Sequence, residues 1–316
     1  MGSAIDRVVK KVGDPDVVRK LASELTAPDL TTLMMAVAAE RASHVRGSDV
    51  LARYRSDRFS RPGTVQFRLL RDIEDLFIRA LPETWDCVVP APLVPFGAHV
   101  ALGDISQDWV VTTVRPHEAA ADPTVALALE AAARRRDSSV RRRERPQRLA
   151  TIQRIVRAQR YESPKSFSHF SIFALATAGR SRPREEFDPV ALNEHLAICV
   201  AALSEVADSV EIIVSTADTR PGRELVDSVR DRWQERPDVA VTEDPQRLLR
   251  QRYYRRACFK INAVIGTETV EIGDGGFTDW TQRMLEDRHE RLLISGVGLD
   301  RPALALGVRS NGTQDR

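Results

Sequence analysis

The chain has 316 residues, 42% of them hydrophobic, and is large enough to bury the core of one large domain or two smaller ones. Its 47 basic and 45 acidic residues give a formal charge of +2, which offers no general argument for nucleic-acid binding. No apolar run approaches the about 18 to 20 residues needed to span a bilayer, and the N-terminus lacks the apolar core of a signal peptide. We predict a globular, cytoplasmic protein without a membrane partner.

The three cysteines are Cys87, Cys199 and Cys258, and each lies in an apolar run without a C-x-x-C pair. Isolated cysteines of this kind are typical of reduced thiols that pack as small hydrophobic residues. We therefore expect three buried thiols with no metal or redox role.

Residues 1–62 are predicted to form an N-terminal helical segment. Pro15 or Asp16 can begin one helix, and Asp29 can cap another that carries an apolar stripe. We expect the methionines of this second helix, Met34 among them, to be core residues.

The next unit is predicted to be a helix followed by an edge strand. Residues 66–80 have apolar side chains on one helical face, and residues 85–89 favour a strand. Pro90, Pro92 and Pro95 then prevent the strand from continuing in a ladder.

The middle of the chain is predicted to alternate strands with helices. We expect a strand at 109–114, a helix at 123–136, and a hairpin whose strands are 152–156 and 167–176. The most basic segment, 134–148, lies between them. Such a run is usually an exposed linker, and the alternative is a phosphate-contacting arm for RNA or a polyphosphate.

The stretch 250–301 is predicted to form the centre of the molecule. A strand over 253–264 and a second over 269–272 flank a Gly/Thr turn, and the second strand is predicted to end at the glycines near 275. A helix over 277–286 and an apolar strand over 291–297 complete it.

Three of these segments together resemble histidyl-tRNA synthetase. Tyr253-Tyr254, followed by Phe259 and Ile261, resembles its Y-Y-x-x-x-x-F-x-I strand. Gly275-Gly276-Phe277-Thr278-Asp279 resembles its G-G-R-Y-D turn, and Gly298-Leu299-Asp300-Arg301 is similar to the third motif of class II aminoacyl-tRNA synthetases. The helix and strand of 66–95 resemble the first class II motif, which builds the dimer interface in that family.

The resemblance implies an ATP site. The hairpin is similar to the second class II motif, so Arg157 would bind the α-phosphate, while Phe170, with His169, would lie over the base. Gln159 stands where the family usually has a carboxylate and would accept from the adenine amino group. Arg301 would stack on the adenine. A plain hairpin with a solvated arginine is the alternative.

The resemblance also implies an amino-acid site and a metal ion. Arg115-Pro116 matches the family's L-R-P-E-x-T, although His117 is inserted before Glu118, the residue that would bind the substrate's amino group. The remaining substrate-binding candidates are Tyr253, Tyr254, Gly275, Gly276 and Asp279. Glu271 or Asp274 would hold Mg²⁺ unless they are ordinary carboxylates at a turn. Phe277 and Thr278 replace the family's R-Y pair, so recognition of histidine does not carry over.

We therefore predict an α+β fold: a mostly antiparallel sheet flanked by helices, over residues 63–308, with a flexible tail over 309–316. Two functions remain. The chain activates an amino acid or related carboxylate with ATP, for an unidentified acyl acceptor and without an anticodon-binding domain, or it is a non-catalytic paralogue that binds a partner protein. We expect a homodimer. RNA binding through the basic run is the weakest alternative.

Overall fold

The protein is described by a computed structural model that covers residues 3–137, 145–159, 168–181, 187–250 and 253–312, the last five of them as backbone alone. Its strands are β1 (Asp86–Cys87), β2 (Leu93–Pro95), β3 (His117–Ala119), β4 (Gln147–Val156), β5 (His169–Arg180), β6 (Ser209–Thr216), β7 (Val239–Glu243), β8 (Arg255–Ile265), β9 (Glu268–Thr278) and β10 (Glu290–Gly298). Its helices are α1 (Ala4–Val12), α2 (Val17–Arg19), α3 (Ala27–Ser43), α4 (Gly47–Ser56), α5 (Phe67–Arg79), α6 (Ala98–Gly103), α7 (Pro123–Asp137), α8 (Phe187–Leu203), α9 (Arg220–Trp233), α10 (Pro245–Arg250), α11 (Trp280–Leu285) and α12 (Asp300–Gly312).

Eight of the described strands form one sheet in the order β1-β4-β5-β10-β9-β8-β6-β7. The outermost pairs, β1 with β4 and β6 with β7, are parallel, and the other pairs are antiparallel. The predicted α+β fold with a mostly antiparallel sheet is therefore confirmed.

Helices cover both faces of this sheet, because the side chains of its central strands alternate between two apolar clusters. On β5, Phe173 and Leu175 pack into the cluster with α5, α8, α9 and α12. Ile172 and Ala174 point the other way, into the cluster with α6, α7 and α11. The sheet is thus buried on both sides, which fixes the register of the central strands.

Strand β9 corrects one prediction, since it continues through Gly275 and Gly276 to Thr278 instead of ending at the glycines. A Cβ atom at Gly275 would lie 2.5 Å from the Ile294 carbonyl oxygen, and one at Gly276 would lie 2.6 Å from the Tyr254 ring. The glycines therefore serve close packing within the sheet rather than a turn. The following helix begins only at Trp280.

The predicted strand at 109–114 is also wrong. Gln107–Trp109 forms a 3₁₀ turn, and Thr112 makes an isolated bridge to Glu118. The strand of this region is β3, which pairs with β2 in a small separate sheet. The chain turns before β3 instead of extending, since Thr113 donates from its N–H to the His117 carbonyl oxygen and from its hydroxyl to the Arg115 carbonyl oxygen.

Helices α1–α4 do not join either apolar cluster. None of the described side chains in residues 4–56 is buried, and Met34 and Met35 are 39% and 38% exposed. The expectation that these methionines are core residues is wrong, because an apolar stripe requires a facing element and the described chain supplies none. The segment is attached to the core through Arg58, which donates to the carbonyl oxygen of Gln159 at 2.9 Å and to Ser168 Oγ at 2.7 Å.

One smaller expectation is corrected as well. Cys199 and Cys258 are buried free thiols, but Cys87 lies on the two-residue edge strand β1 and is exposed. Helix α12 runs to Gly312, and Asn311 and Gly312 are typical helix-ending residues. None of the described helices is long and apolar enough to cross a membrane.

The described part of the basic run is used inside the protein. Arg135 is buried and pairs with Glu290 (2.9 Å), Arg136 donates to the Met284 carbonyl oxygen, and Arg148 pairs with Glu194. Residues 138–144 lie outside the described residues. Arg135, Arg136 and Arg148 are therefore engaged within the protein, whereas Arg145 is exposed.

Candidate ligand-binding site

A cavity of about 270 Å³ lies on the α7 side of the sheet, where β5, β9 and β10 approach the start of α12. Its lining combines carboxylates, arginines and tyrosines: Asp122, Asp274, Glu271, Asp300, Arg157, Arg301, Tyr253 and Tyr254, with Phe170, Thr124 and backbone of β9 and β10.

Two glycines of β10 leave space for this cavity. A Cβ atom added at Gly296 would come no closer than 3.5 Å to Ile172, and one at Gly298 no closer than 3.7 Å to the Ile272 carbonyl oxygen. Both distances are ordinary van der Waals contacts, so either position can carry a side chain, unlike Gly273, where a Cβ would lie 2.1 Å from the Gly296 carbonyl oxygen. Side chains at 296 and 298 would occupy the space that the glycines leave to a ligand.

Arg157 follows β4 and forms one wall. Its Nε donates to the Ala121 carbonyl oxygen at 2.8 Å, and its Nη2 lies 3.5 Å from Asp122 Oδ2. The guanidinium stands 5.3 Å from the centre of the Phe170 ring, a cation–π distance. Arg157 is thus held in place and still lines the cavity.

Arg301 lies in the first turn of α12 and also lines the cavity. Its Nη1 donates to the Glu271 carbonyl oxygen at 3.1 Å. The Glu271 carboxylate itself pairs with Lys260 Nζ at 2.5 Å. Asp300 is buried, and its Oδ2 accepts from the Ser171 backbone N–H at 2.7 Å.

Asp274 and the paired tyrosines form the third side. Asp274 Oδ2 accepts from Arg247 Nη2 at 2.8 Å, and Oδ1 accepts from the Tyr254 hydroxyl at 3.3 Å. Burial raises the pKa of Asp274 above its usual value, against the lowering effect of Arg247, and Asp122 raises it further. Burial, then Asp274, also raises the pKa of both Tyr253 and Tyr254, so both phenols are neutral donors.

Asp122 and Thr124 were not among the predicted site residues. Asp122 precedes Pro123, the first residue of α7, and its Oδ1 accepts from the Thr124 backbone N–H (2.9 Å) and hydroxyl (2.7 Å). A signal for them exists in the sequence, since Asp122-Pro123-Thr124 repeats the acidic-x-Thr spacing of the family's E-x-T. The match to Arg115-Pro116 predicts Glu118 instead.

Glu118 does not line the cavity. It is fully buried and accepts from the backbone N–H of Gly97 (3.0 Å) and His99 (3.1 Å), from His99 Nδ1 and from Gln107. Arg115 is exposed on the turn before β3 and is likewise outside the lining. The structure therefore does not bring either residue to the cavity.

Two residues predicted for the nucleotide also lie outside it. His169 neighbours Phe170 on β5 and therefore faces the other side of the sheet, where its Nδ1 accepts from Arg154 (2.8 Å) and its Nε2 contacts the Arg61 carbonyl oxygen (2.6 Å). Gln159 follows the wall residue Arg157 but does not line the cavity.

The glycine-turn residues do not reach the cavity. Gly275 and Gly276 are covered by packing within the sheet, as described above. Asp279 precedes α11 and pairs with Arg255 (3.3 Å) and Arg283 (3.1 Å).

The proposed metal ligands are already engaged with cations, Glu271 with Lys260 and Asp274 with Arg247. Among the described residues, no group of three or more His, Cys, Asp or Glu side chains is arranged to hold a metal ion. As the side chains stand, the site does not fit Mg²⁺.

Several solved structures have the same fold. An ATP phosphoribosyltransferase regulatory subunit/histidyl-tRNA synthetase from Bacillus halodurans gives a TM-score of 0.58 at 14% identity, over 79% of this chain and 83% of that chain. A histidine–tRNA ligase subunit from Alicyclobacillus acidocaldarius gives 0.56 at 12%, over 79% and 98%. Apo histidyl-tRNA synthetase from S. aureus gives 0.55 at 11%, over 76% and 69%. No protein-family model matches the sequence, and neither does any curated protein.

The fold is therefore that of the class II aminoacyl-tRNA synthetase core. Within that class it is similar to histidyl-tRNA synthetase and to the ATP phosphoribosyltransferase regulatory subunit. The resemblance inferred from the tyrosine pair and the glycine motifs is thus confirmed for the fold.

Proposed function

We propose that the cavity binds a small molecule of the amino-acid class, with its ammonium group near Asp122 and Asp274 and its carboxylate near an arginine. The observation that carries the proposal is the lining, in which these two carboxylates and the guanidinium groups of Arg157 and Arg301 border one space. A zwitterion offers a charge-assisted hydrogen bond to groups of both signs. The volume of about 270 Å³ is slightly below the range of about 300 to 1,000 Å³ typical of drug-sized ligands, which favours a small one.

The register of β9 supports two chemically different ends. Asp274 pairs with Gly296, whereas Glu271, whose carbonyl oxygen accepts from Arg301, lies three residues earlier on the same strand. Three strand residues span roughly 10 Å. The acidic end and the Arg301 end are therefore separated by about the length of an amino acid with an extended side chain.

The test is calorimetry of the purified protein with a panel of L-amino acids and the corresponding amines. We expect binding by at least one compound of the panel, and loss of that binding in Asp122→Asn and Asp274→Asn. Asp279→Asn is the matched control, because this carboxylate is outside the lining. A wild-type protein that binds no member of the panel at millimolar concentration contradicts the proposal.

Activation of a carboxylate by ATP is a second candidate, favoured by Arg157, Phe170 and Arg301 in one cavity, and it requires the cavity to open beyond the volume of about 270 Å³ that suits a small ligand. Phe170 and Arg301 would hold the adenine, and Arg157 would bind the α-phosphate. Bound ATP supplies the phosphorus atom that the ligand's carboxylate attacks, which gives an acyl-adenylate and pyrophosphate. No step is assigned to a metal ion, because Glu271 and Asp274 do not fit one.

Pyrophosphate exchange into ATP tests this candidate, with calorimetry of ATP beside it. Arg157→Ala and Arg301→Ala are expected to abolish both signals, whereas Arg115→Ala, an exposed arginine away from the cavity, is expected to change neither. Amino-acid binding without exchange would favour the alternative, a non-catalytic ligand-binding subunit.

The alternative gains support from exposed apolar side chains. Helices α1–α4 present several to solvent, as a segment that docks on a partner protein would.

Phe67 and Val89, 73% and 98% exposed, lie in the unit 66–95 that we predict to form a homodimer. Light scattering of the wild type and of Val89→Asp tests the dimer: we expect a mass of two chains that falls to one in the variant.

A further inference from the structure

Asp122, which lines the cavity, is connected through the backbone of Ala121 to a buried hydrogen-bonded pair, Glu118 and His99. Both side chains are fully buried. Glu118 accepts four hydrogen bonds, from the backbone N–H of Gly97 and His99, from Gln107 Nε2 (3.1 Å), and from His99 Nδ1 (2.7 Å). Burial raises the pKa of Glu118, but these donors outweigh that effect and leave it below its usual value. The carboxylate is therefore ionised and acts only as an acceptor.

This arrangement fixes the tautomer of His99. Because an ionised carboxylate accepts, Nδ1 of the imidazole carries the proton. Nε2 is then free to accept, and it lies 3.0 Å from the Ala121 backbone nitrogen, which donates to it. The ring thus links Glu118 to the main chain of Ala121.

Ala121 is held at both of its backbone groups. Its N–H donates to His99, and its carbonyl oxygen accepts from Arg157 Nε at 2.8 Å. The next residue is Asp122, whose carboxylate lines the cavity. A shift of the Ala121 peptide would therefore move Asp122 and release Arg157 together.

We infer that Glu118 and His99 are positioning residues for the ligand site: Glu118 sets the tautomer and orientation of His99, His99 holds Ala121, and Ala121 sets Asp122 and Arg157. The effect on ligand affinity rests on the proposed function, whereas the effect on Arg157 does not. Glu118, the carboxylate that the sequence predicts to contact the ligand, thus affects ligand binding indirectly, through His99 and Ala121.

Two substitutions of His99 separate this role from general destabilisation. In His99→Asn the amide nitrogen replaces Nδ1, so the contact to Glu118 is kept and the acceptor for Ala121 is lost. In His99→Gln the amide oxygen replaces Nε2, so the acceptor for Ala121 is kept and the contact to Glu118 is lost. Both remove the imidazole from the same buried space, and both are expected to lower the melting temperature.

The readout is hydrogen exchange of the Arg157 Nε–H, followed by NMR with ¹⁵N-arginine and assigned by the loss of the signal in Arg157→Lys. In His99→Asn we expect the exchange rate to rise about tenfold, the factor for one lost hydrogen bond. In His99→Gln we expect a rise of less than about twofold, because Ala121 keeps its partner. Glu290→Gln, which disturbs the separate buried pair with Arg135, is the control and is expected to leave Arg157 unchanged. Equal rates in the two His99 variants, or an equal rise in the control, would overturn the inference.

Affinity gives the second readout, with the same amino-acid panel as probe. We expect His99→Asn to weaken binding about tenfold and His99→Gln much less. Binding that His99→Asn leaves unchanged overturns the inference even if the exchange rate rises. A wild type that binds nothing overturns the proposed function, and the exchange measurement then still decides the positioning of Arg157.

Discussion

Strand β3 and the start of α7 lie four residues apart in the chain and use their carboxylates differently. Glu118 on β3 is fully buried and has donors around it, whereas Asp122 before α7 borders the cavity and contacts Thr124 and Arg157. The resemblance assigned the ligand to Glu118. Burial and hydrogen-bond partners, rather than residue type, decide which carboxylate can meet a ligand.

The largest expected effect is the loss of stability when the buried Glu118 is replaced. Glu118→Ala should lower the free energy of unfolding by about 3 to 5 kcal/mol, because His99, Gln107 and two backbone N–H groups lose their buried acceptor. Chemical denaturation measures it. A loss below about 1 kcal/mol, the ordinary effect of a surface change, would mean that Glu118 is not the buried acceptor described here.

Asp122→Asn should change ligand affinity more than stability. We expect stability to change by less than about 1 kcal/mol, while the affinity for the ligand falls by about 1.5 to 3 kcal/mol, the value of a charge-assisted hydrogen bond. Denaturation and calorimetry on the same preparation check the pair of results. Unchanged affinity would remove Asp122 from the site.

The affinity for the ligand is expected to depend on pH through Asp274. The pKa of Asp274 is raised, mainly by burial, and ammonium binding requires the ionised carboxylate, so affinity should fall as pH decreases through this raised pKa. The stability of the fold responds in the opposite direction. The contribution of Asp274 to the free energy of unfolding decreases as pH rises through this raised pKa, because the folded state holds the proton more tightly than the unfolded chain. Calorimetry of the wild type across pH measures the effect, and an affinity that does not fall with decreasing pH would contradict it.

The smallest expected effect concerns the N-terminal helices. Met34→Gln with Met35→Gln should change the stability of the isolated chain by less than about 0.5 kcal/mol, because both side chains are exposed. Thermal unfolding checks this result. A loss of several kcal/mol would show that α3 is buried in solution, in a dimer or against the core.

The sequence predicted most of the regular structure, because strands and helices leave periodic apolar patterns. The hairpin of β4 and β5 and the helix α7 lie close to their predicted positions. The predicted end of the strand at Gly275 and Gly276 is wrong, because glycine is typical both of a turn and of a close contact between strands. Only the neighbouring Ile294 and Tyr254 show that the glycines serve close contact.

The candidate site was predictable in part. Arg157, Phe170 and Arg301 come from separate segments and line one cavity, as the motif order implied. His169 does not, since adjacent strand residues face opposite sides. Arg247 could not be predicted, because its contact with Asp274 joins α10 to β9 and follows from tertiary packing alone.

The most direct measurement is calorimetry of the amino-acid panel with wild type and Gly296→Val. A Cβ atom at 296 would make only an ordinary van der Waals contact with Ile172, so the variant should fold normally and occupy part of the cavity. Gly47→Ala, which meets no neighbour in α4, is the control. We expect binding by the wild type and the control and none by Gly296→Val. Equal binding by a folded Gly296→Val would contradict the claim that this cavity is the ligand site.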